Sequence, residues 1–204
     1  MSWVTLAAAE LPGRLAEWLA ATSGIVRVAV DGAPCTDPDV LASSLLEPLR
    51  ARGRPVAHVR SDHFWRDASV RLEPGRKDVE SYLNWLDDAA LRREVLEAGD
   101  SYLPSLRDPS TNRSTREPTR PLEPGTVLLV SGALLLGRDL PFDRTIHLTL
   151  SRTVLAQRTP VADAWTLPAF ERYDATVRPD DVADVVIRPG RPDPAVHGLP
   201  SVHK

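Results

Sequence analysis

Apolar residues near the start of the chain recur with the spacing of one helix face. Leu11, Leu15, Trp18 and Leu19 stand at i, i+4, i+7 and i+8, which predicts an amphipathic helix that ends near Gly24. Such a helix needs a partner for its apolar stripe. We therefore expect it to pack on structure that forms further along the chain.

A different pattern follows, in which short apolar runs alternate with helical stretches. The first run, residues 25–30, is mostly β-branched and predicts a strand buried on both faces, and a helix with one apolar stripe follows at 40–49. Four more strands are predicted, at 55–59, 127–130, 145–150 and 183–187. This order favours the α/β class, with a mostly parallel five-stranded sheet and helices on both faces.

The chain length of 204 residues fits one α/β domain. We place that domain at residues 1–188, with a polar, irregular insertion at 98–124 that is not expected to join a sheet. Residues 189–204 hold four prolines, two glycines and little periodicity. They are therefore predicted to be a loose tail.

Charge and composition narrow the range of partners. The formal net charge is −3 and arginines are interspersed with acidic residues, so no basic face for nucleic acid is indicated. No apolar run approaches the roughly 20 residues of a membrane span, and the first residues lack an export signal. Cys35 is the single cysteine, which excludes an internal disulfide, and its spacing to the histidines predicts no metal site. We expect a cytoplasmic protein with no membrane or nucleic-acid partner; the oligomeric state stays open.

The segment with the clearest candidate chemistry begins where the first predicted strand ends. The strand runs into Asp31-Gly32 and a short loop leads to a helix, which is the layout of the phosphate-binding loop G-x-x-x-x-G-K-[ST]. The loop positions are filled by Gly32, Ala33, Pro34, Cys35, Thr36, Asp37, Pro38 and Asp39. With its flanking strand and helix, this segment resembles the first motif of the uridine kinase and phosphoribulokinase-like family.

Later segments resemble the same family in the same order. Residues 60–65 resemble its Asp-Asp-Phe-aromatic segment, and the stretches 80–85 and 91–96 resemble the part that covers the substrate in bacterial members. Residues 127–132 resemble a Walker B strand, and Tyr173 with residues 177–179 resembles a late helix-end motif. This resemblance implies a three-layer P-loop NTPase-like fold.

The resemblance also implies roles for individual residues. Asp62 matches the aspartate that accepts the proton of the substrate hydroxyl, and Ser131 stands where the family has an acid that helps to hold magnesium. Arg152 and Arg158 lie in the segment that matches the lid over the transferred phosphate. Candidate substrate contacts are Phe64, Trp65, Arg76, Tyr82, Trp85 and Arg113.

Three substitutions in the loop set the chain apart from an active member. Where the motif has Gly, Lys and Ser/Thr, this chain has Asp37, Pro38 and Asp39, which exchanges one cation for two anions and removes a backbone N–H. We expect this loop to repel a triphosphate. The same residues also make an ordinary helix start, with Asp37 as the N-cap, and its carboxylate would then fill the place of the phosphate.

Plainer explanations exist for the other candidates. Asp62 is also explained as a polar residue at a strand end, and Cys35 as a small buried residue rather than an activated thiol. Packing is the commoner explanation of the aromatic candidates, and solvated surface charge explains the arginine candidates equally well. These alternatives require a structure to separate them.

Three functions are compatible with these patterns. The leading hypothesis is a degenerate uridine kinase-like protein, a pseudokinase with impaired ATP binding, no bound cofactor and a remnant cleft for a nucleoside-like small molecule. The first alternative is an active small-molecule kinase that uses Mg-ATP to phosphorylate an alcohol group. The second is a structural or interaction protein. Binding of Mg-ATP separates the leading hypothesis from the active kinase.

Overall fold

The computed structural model describes residues 2–190 and 192–200. Its strands are β1 Val4–Thr5, β2 Val26–Gly32, β3 Val56–Arg60, β4 Ser101–Tyr102, β5 Arg120–Pro121, β6 Val127–Gly132, β7 Arg144–Leu148, β8 Val185–Arg188 and β9 Ala195–His197. Its α-helices are α1 Leu11–Ala20, α2 Pro38–Ser44, α3 Leu46–Arg50, α4 Ala68–Arg71, α5 Val79–Leu83, α6 Asp88–Leu91, α7 Arg152–Arg158, α8 Leu167–Thr176 and α9 Pro179–Val182. Turns of 3₁₀-helix cover Pro34–Thr36, Ser61–Phe64 and Val161–Thr166, and Arg92–Leu96 form a π-helix.

Seven of these strands form one sheet in the order β1-β9-β8-β7-β2-β6-β3. The five strands from β8 to β3 are parallel, and each coincides with one of the predicted apolar runs. Val28 of β2 is fully buried and pairs with Leu129 on one side and Arg144 on the other, so β2 is an inner strand. The predicted α/β class with a mostly parallel sheet is confirmed.

Side chains of the inner strands alternate between two apolar layers. Val28 and Val30 of β2 face the layer in which Leu15 and Leu19 of α1 are fully buried. Ala29 faces the opposite layer, which contains residues of α6 and α8. Helices therefore cover both faces of the sheet. Among the helices of the described part of the chain, none combines the length and apolar character needed to cross a membrane.

The helix predicted at 40–49 is two helices, α2 and α3, that meet at Leu45. Leu45 and Leu49 are fully buried, as their place on an apolar stripe requires. Val40 was placed on the same stripe, but 64% of its surface is exposed, so that assignment is wrong. It lies in the first turn of α2, outside the contact with the sheet.

The sheet is wider than predicted at one edge. Strand β9 pairs antiparallel with β8, and β1 pairs antiparallel with β9. Val196 of β9 is 2% exposed and packs in the same layer as α1. The prediction of a loose tail is therefore wrong for residues 195–197, while residues 191 and 201–204 lie outside the described part of the chain. A three-residue strand between prolines has too little periodicity to be recognised, and pairing with β8 satisfies its backbone groups.

The insertion at 98–124 contains a small sheet of its own. Strands β4 and β5 pair antiparallel, Ser101 with Pro121 and Tyr102 with Arg120. The expectation that this segment forms no sheet is wrong for these residues. Tyr102 and the nearby Leu122 are buried against the main core, which anchors the insertion on the domain.

Replacing Val196 by Ala tests whether β9 belongs to the core. Loss of two buried methyl groups is expected to lower the free energy of unfolding by about 2 kcal/mol. Val182→Ala, at a 56% exposed position of α9, is the matched control and should change it by less than about 0.5 kcal/mol. Urea denaturation followed by circular dichroism measures both values. Equal effects of the two substitutions would contradict the packing of β9.

Candidate functional site

The loop after β2 has the predicted place in the fold. It leaves the carboxyl end of β2 at Gly32, forms the 3₁₀ turn Pro34–Thr36 and enters α2 at Pro38. A side chain on Gly32 would collide with Thr36 and Leu148, which explains the glycine. The prediction that this loop joins an inner strand to a helix is confirmed.

Asp37 lies at the turn into α2 in a left-handed conformation, with φ 57° and ψ 54°. Glycine adopts this conformation without strain, whereas Asp is one of the few other residues that tolerate it. The Asp37 side chain makes no capping hydrogen bond to α2, so the prediction of a carboxylate N-cap is wrong. Its carboxylate is instead exposed on the surface that the loop presents.

Asp39, in the first turn of α2, is held by side chains of two neighbouring strands. The Ser131 hydroxyl, at the end of β6, donates a hydrogen bond to Asp39 Oδ1 at 3.2 Å. His58 Nε2 of β3 lies 2.9 Å from Ser131 Oγ and 3.4 Å from Asp39 Oδ1. The loop position that matches Ser/Thr and the strand position that matches the Walker B acid are thus joined by direct contact.

His58 supplies no full charge to this group at neutral pH. Burial lowers its pKa below the ordinary value, and Arg60 and His63 act in the same direction, while Asp39 opposes them. The neutral ring still donates or accepts a hydrogen bond. The negative charge of Asp39 is therefore balanced only in part, by the Arg60 guanidinium 3.9 Å away.

Asp62 follows β3 in the 3₁₀ turn Ser61–Phe64 and lies in the same crevice as the loop. Its role as a base stays a prediction. Arg60 donates two hydrogen bonds to its carboxylate, Nε to Oδ1 at 3.2 Å and Nη2 to Oδ2 at 2.6 Å. This bidentate pair occupies both oxygens, which a general base would need to release.

A cavity of about 290 Å³ opens between the loop and a group of aromatic side chains. The polar residues of its lining are Asp37, Asp39, Arg60, Asp62, Ser61, Ser131 and Arg138, and the apolar ones are Pro34, Pro38, Trp65, Tyr82, Trp85, Leu86, Ala133 and Leu134. The cavity lies beyond the carboxyl ends of parallel strands, where open α/β sheets bind ligands. Its size is near the lower end of the range for small-molecule sites.

The aromatic wall of the cavity is a packed cluster. The ring centroids of Trp65 and Trp85 are 5.0 Å apart at 72°, and Tyr82 and Trp85 have the same spacing and angle. The Arg71 guanidinium lies over both indoles, 5.0 Å from the Trp65 centroid and 4.5 Å from that of Trp85. Trp65, Tyr82 and Trp85 therefore pack against one another and also line the cavity. Burial raises the pKa of Tyr82 to about 12, so its phenol stays protonated.

The other predicted contacts lie elsewhere. Phe64, the last residue of the 3₁₀ turn Ser61–Phe64, is fully buried in the core and does not line the cavity. Arg76 and Arg113 are exposed and are not among the residues that line the cavity. These three predictions of substrate contact are not supported by the geometry.

The two arginines predicted to lie in a lid, Arg152 and Arg158, have different environments. Arg152 is 75% exposed and its Nε lies 3.4 Å from Glu171 Oε1. Arg158, at the end of α7, lines a wide open groove on the other side of the loop, together with Cys35 and Asp37. Cys35 is half-buried and its sulfur lies 4.0 Å from the Thr159 hydroxyl. Neither arginine lines the enclosed cavity.

A buried polar network lies behind the loop. Asp31 is fully buried and accepts hydrogen bonds from the Leu135 N–H at 2.8 Å and the Tyr173 hydroxyl at 3.0 Å. His147 Nδ1 lies 2.7 Å from the second oxygen of Asp31, and its Nε2 lies 3.6 Å from Asp180 Oδ1. The chain supplies three partners for one buried carboxylate, as burial of a charge requires.

The His147 ring is influenced by opposing effects. Burial alone would lower its pKa, but the hydrogen bond and charge of Asp31, with the Asp180 and Asp174 carboxylates, raise it above the ordinary value overall. Tyr173, which shares the Asp31 carboxylate, has a raised pKa because of its burial and the nearby charge. The network therefore favours an imidazolium between two carboxylates.

Sequence reasoning missed several residues of this region. His58, Arg60, Arg71, Arg138 and His147 were not among the candidates. His58 and His147 break otherwise apolar strands, and a polar side chain in a buried strand is the signal that points to a partner. Arg138 gives no such signal, since its bond to Asp88 depends on contacts between distant segments.

Two solved structures share this fold. A structure described as a possible uridine kinase from Bacillus stearothermophilus matches 87% of this chain and 98% of its own, with a TM-score of 0.69 and 21% sequence identity. A candidate fructose transport system kinase from Silicibacter sp. TM1040 matches 84% of this chain and 94% of its own, with a TM-score of 0.59 and 22% identity. No family model and no curated protein sequence matches the chain. The chain therefore has the fold of P-loop kinases.

Replacing His147 by Gln tests the charged state of the buried network. Because the folded-state pKa of His147 lies above the unfolded value of about 6.5, the imidazolium stabilises the fold fully below that pH, and this is lost as pH rises through the folded-state pKa. The difference in unfolding free energy between wild type and His147→Gln should be largest near pH 6 and shrink towards pH 9. Urea denaturation at each pH measures it.

Asp180→Asn removes one of the carboxylates that raise this pKa. In a chain that carries Asp180→Asn, the effect of His147→Gln on the free energy of unfolding should shrink at a lower pH than it does in wild type. A difference that is constant with pH would show that His147 is neutral throughout.

Proposed function

We propose that this protein is a pseudokinase: it keeps the P-loop kinase fold and a small-molecule cavity but does not bind ATP at the loop. The observation that carries the proposal is the fixed carboxylate of Asp39 in the first turn of α2, bonded to Ser131 and beside His58. A phosphate at a helix N-terminus needs free N–H groups and positive charge. This helix start offers a carboxylate instead.

The carboxylates at the start of α2 would repel a phosphate, and the local geometry does not let them move away from it. Two like unit charges 4 Å apart repel by about 4 kcal/mol at an effective dielectric constant of 20. The bond from Ser131 keeps the Asp39 carboxylate from turning away, and Asp37 adds a second negative charge at the turn. Repulsion of this size corresponds to roughly a thousandfold loss of affinity.

Backbone donors are reduced as well. Pro38 is the first residue of α2 and has no N–H to offer. The lysine that would neutralise the phosphates in G-x-x-x-x-G-K-[ST] is absent at that position, and Ser131 replaces the acid of the Walker B strand. The residues present therefore do not fit Mg-ATP.

One observation favours an active kinase as the second candidate. Asp62 lies at the strand end inside the cavity, where a base for a substrate hydroxyl would stand. Against this, its carboxylate is engaged by Arg60 and the lid residue Arg152 lies beside Glu171. An active enzyme would need both pairs to open on binding of the substrates.

A quadruple substitution of Asp37→Gly, Pro38→Lys, Asp39→Thr and Ser131→Asp tests the proposal. It restores a residue suited to the left-handed turn, the cation, the magnesium hydroxyl and the metal-holding acid. Wild type should bind Mg-ATP with a Kd no tighter than about 1 mM, and the variant at least about tenfold more tightly. Isothermal titration calorimetry measures both, after circular dichroism has shown that the variant folds.

Ser131→Asp alone is the matched control. It adds the acid but leaves the loop unchanged, so it should not gain ATP affinity. Micromolar binding by wild type would overturn the pseudokinase proposal. If neither wild type nor the quadruple variant binds Mg-ATP, the obstacle extends beyond the loop to the lid. The claim that these four residues alone prevent ATP binding is then wrong.

A further inference from the structure

The polar residues that line the cavity carry more negative than positive charge. Three carboxylates, of Asp37, Asp39 and Asp62, face one guanidinium, that of Arg60. The same Arg60 side chain serves both Asp62, at 2.6 Å, and Asp39, at 3.9 Å. Two negative charges therefore lack a full countercharge within the described part of the chain.

The other basic side chains near the cavity do not supply the missing charge. Arg138 bonds to the Asp88 carboxylate at 3.1 and 3.2 Å and to the carbonyl oxygens of Leu83 and Leu134. Its charge and donors are thus already used. His58 is held in its neutral form by burial.

A hydroxyl also lines the cavity beside these carboxylates. Ser61 is 3% exposed as a residue, and its Oγ is not among the buried side-chain atoms that lack a hydrogen-bond partner in the described part of the chain. This hydroxyl lies next to Asp62 in the chain, where it can accept a hydrogen bond from a bound N–H group.

The indoles of Trp65 and Trp85 already hold one cation, the guanidinium of Arg71, which is not among the residues that line the cavity. The Arg71 guanidinium lies 4.5 Å from the Trp85 centroid and 5.0 Å from that of Trp65, within the range of cation–π attraction. Aromatic faces and carboxylates together recognise organic cations, because the first bind the body and the second the charge. An anion would be repelled by the carboxylates of the lining.

We infer that the cavity binds a small organic cation, an ammonium or amidinium group on an apolar body, with the charged group near Asp37, Asp62 and Ser61 and the body against Trp65 and Trp85. This ligand class rests on the proposed function, since it uses the place that a kinase would give to phosphate. The proposed ligand differs from a nucleoside because it must carry a positive charge.

Phenethylamine, phenylethanol and phenylpropionate are matched probes that differ mainly in charge. Calorimetry at low salt, with indole fluorescence as a second signal, should show phenethylamine binding at least about tenfold more tightly than the alcohol, and no binding of the carboxylate. Added salt should weaken the binding of the amine. Benzamidine and spermidine extend the panel to other cations.

Asp37→Asn and Asp139→Asn form a matched pair. Both aspartates are exposed and left-handed, with φ 57° and 53°, but Asp139 does not line the cavity. Asp37→Asn should weaken binding of phenethylamine about three- to tenfold, and Asp139→Asn should leave it unchanged.

Three results would overturn the inference. They are equal affinity for amine and alcohol, equal effects of the two substitutions, and no binding of any cation of the panel at millimolar concentration. The calorimetric titration with Mg-ATP separates this failure from that of the proposed function. Tight ATP binding refutes the pseudokinase proposal, whereas failure of the cations with no ATP binding refutes the ligand class alone.

Discussion

One buried carboxylate ties together the elements around the loop. Asp31, the next-to-last residue of the inner strand β2, has no exposed surface, and its partners come from β7, from the segment after β6 and from α8. A charge in that position is stable only when every lone pair is satisfied, so each partner must keep its place. The start of the loop at Gly32 is thereby fixed relative to the sheet and to α8.

Loop geometry and loop chemistry are separate properties in this protein. The backbone around the loop depends on Asp31, on the lack of a side chain at Gly32 and on a left-handed residue at 37. None of these requires a phosphate. Substitutions of the residues that contact nucleotide can therefore accumulate while the strand, turn and helix persist, and a cavity with a different charge can form on the same backbone.

Much of the fold could be predicted from local patterns, and most of the site could not. The five parallel strands are continuous apolar runs, which is the pattern of strands buried on both faces. Strands β1 and β9 have two and three residues, too few for a pattern; β9 depends on pairing with β8, and β1 on pairing with β9. The position of Asp62 followed from its place at a strand end. Its pairing with Arg60, and the link from Asp39 to Ser131 and His58, arise only when separate strands are brought together.

The pairing of β1 with β9 has a consequence for how the chain reaches this structure. Val4 pairs with Val196, so the outermost ladder joins segments from nearly opposite ends of the sequence. Contacts so distant form late, because closing a long loop costs entropy before the contact stabilises it. Until β9 arrives, β8 presents an open edge with the apolar residues Val185, Val186 and Ile187. A chain at that stage exposes β8 as an unpaired apolar strand, and chaperone binding or aggregation would begin at this strand.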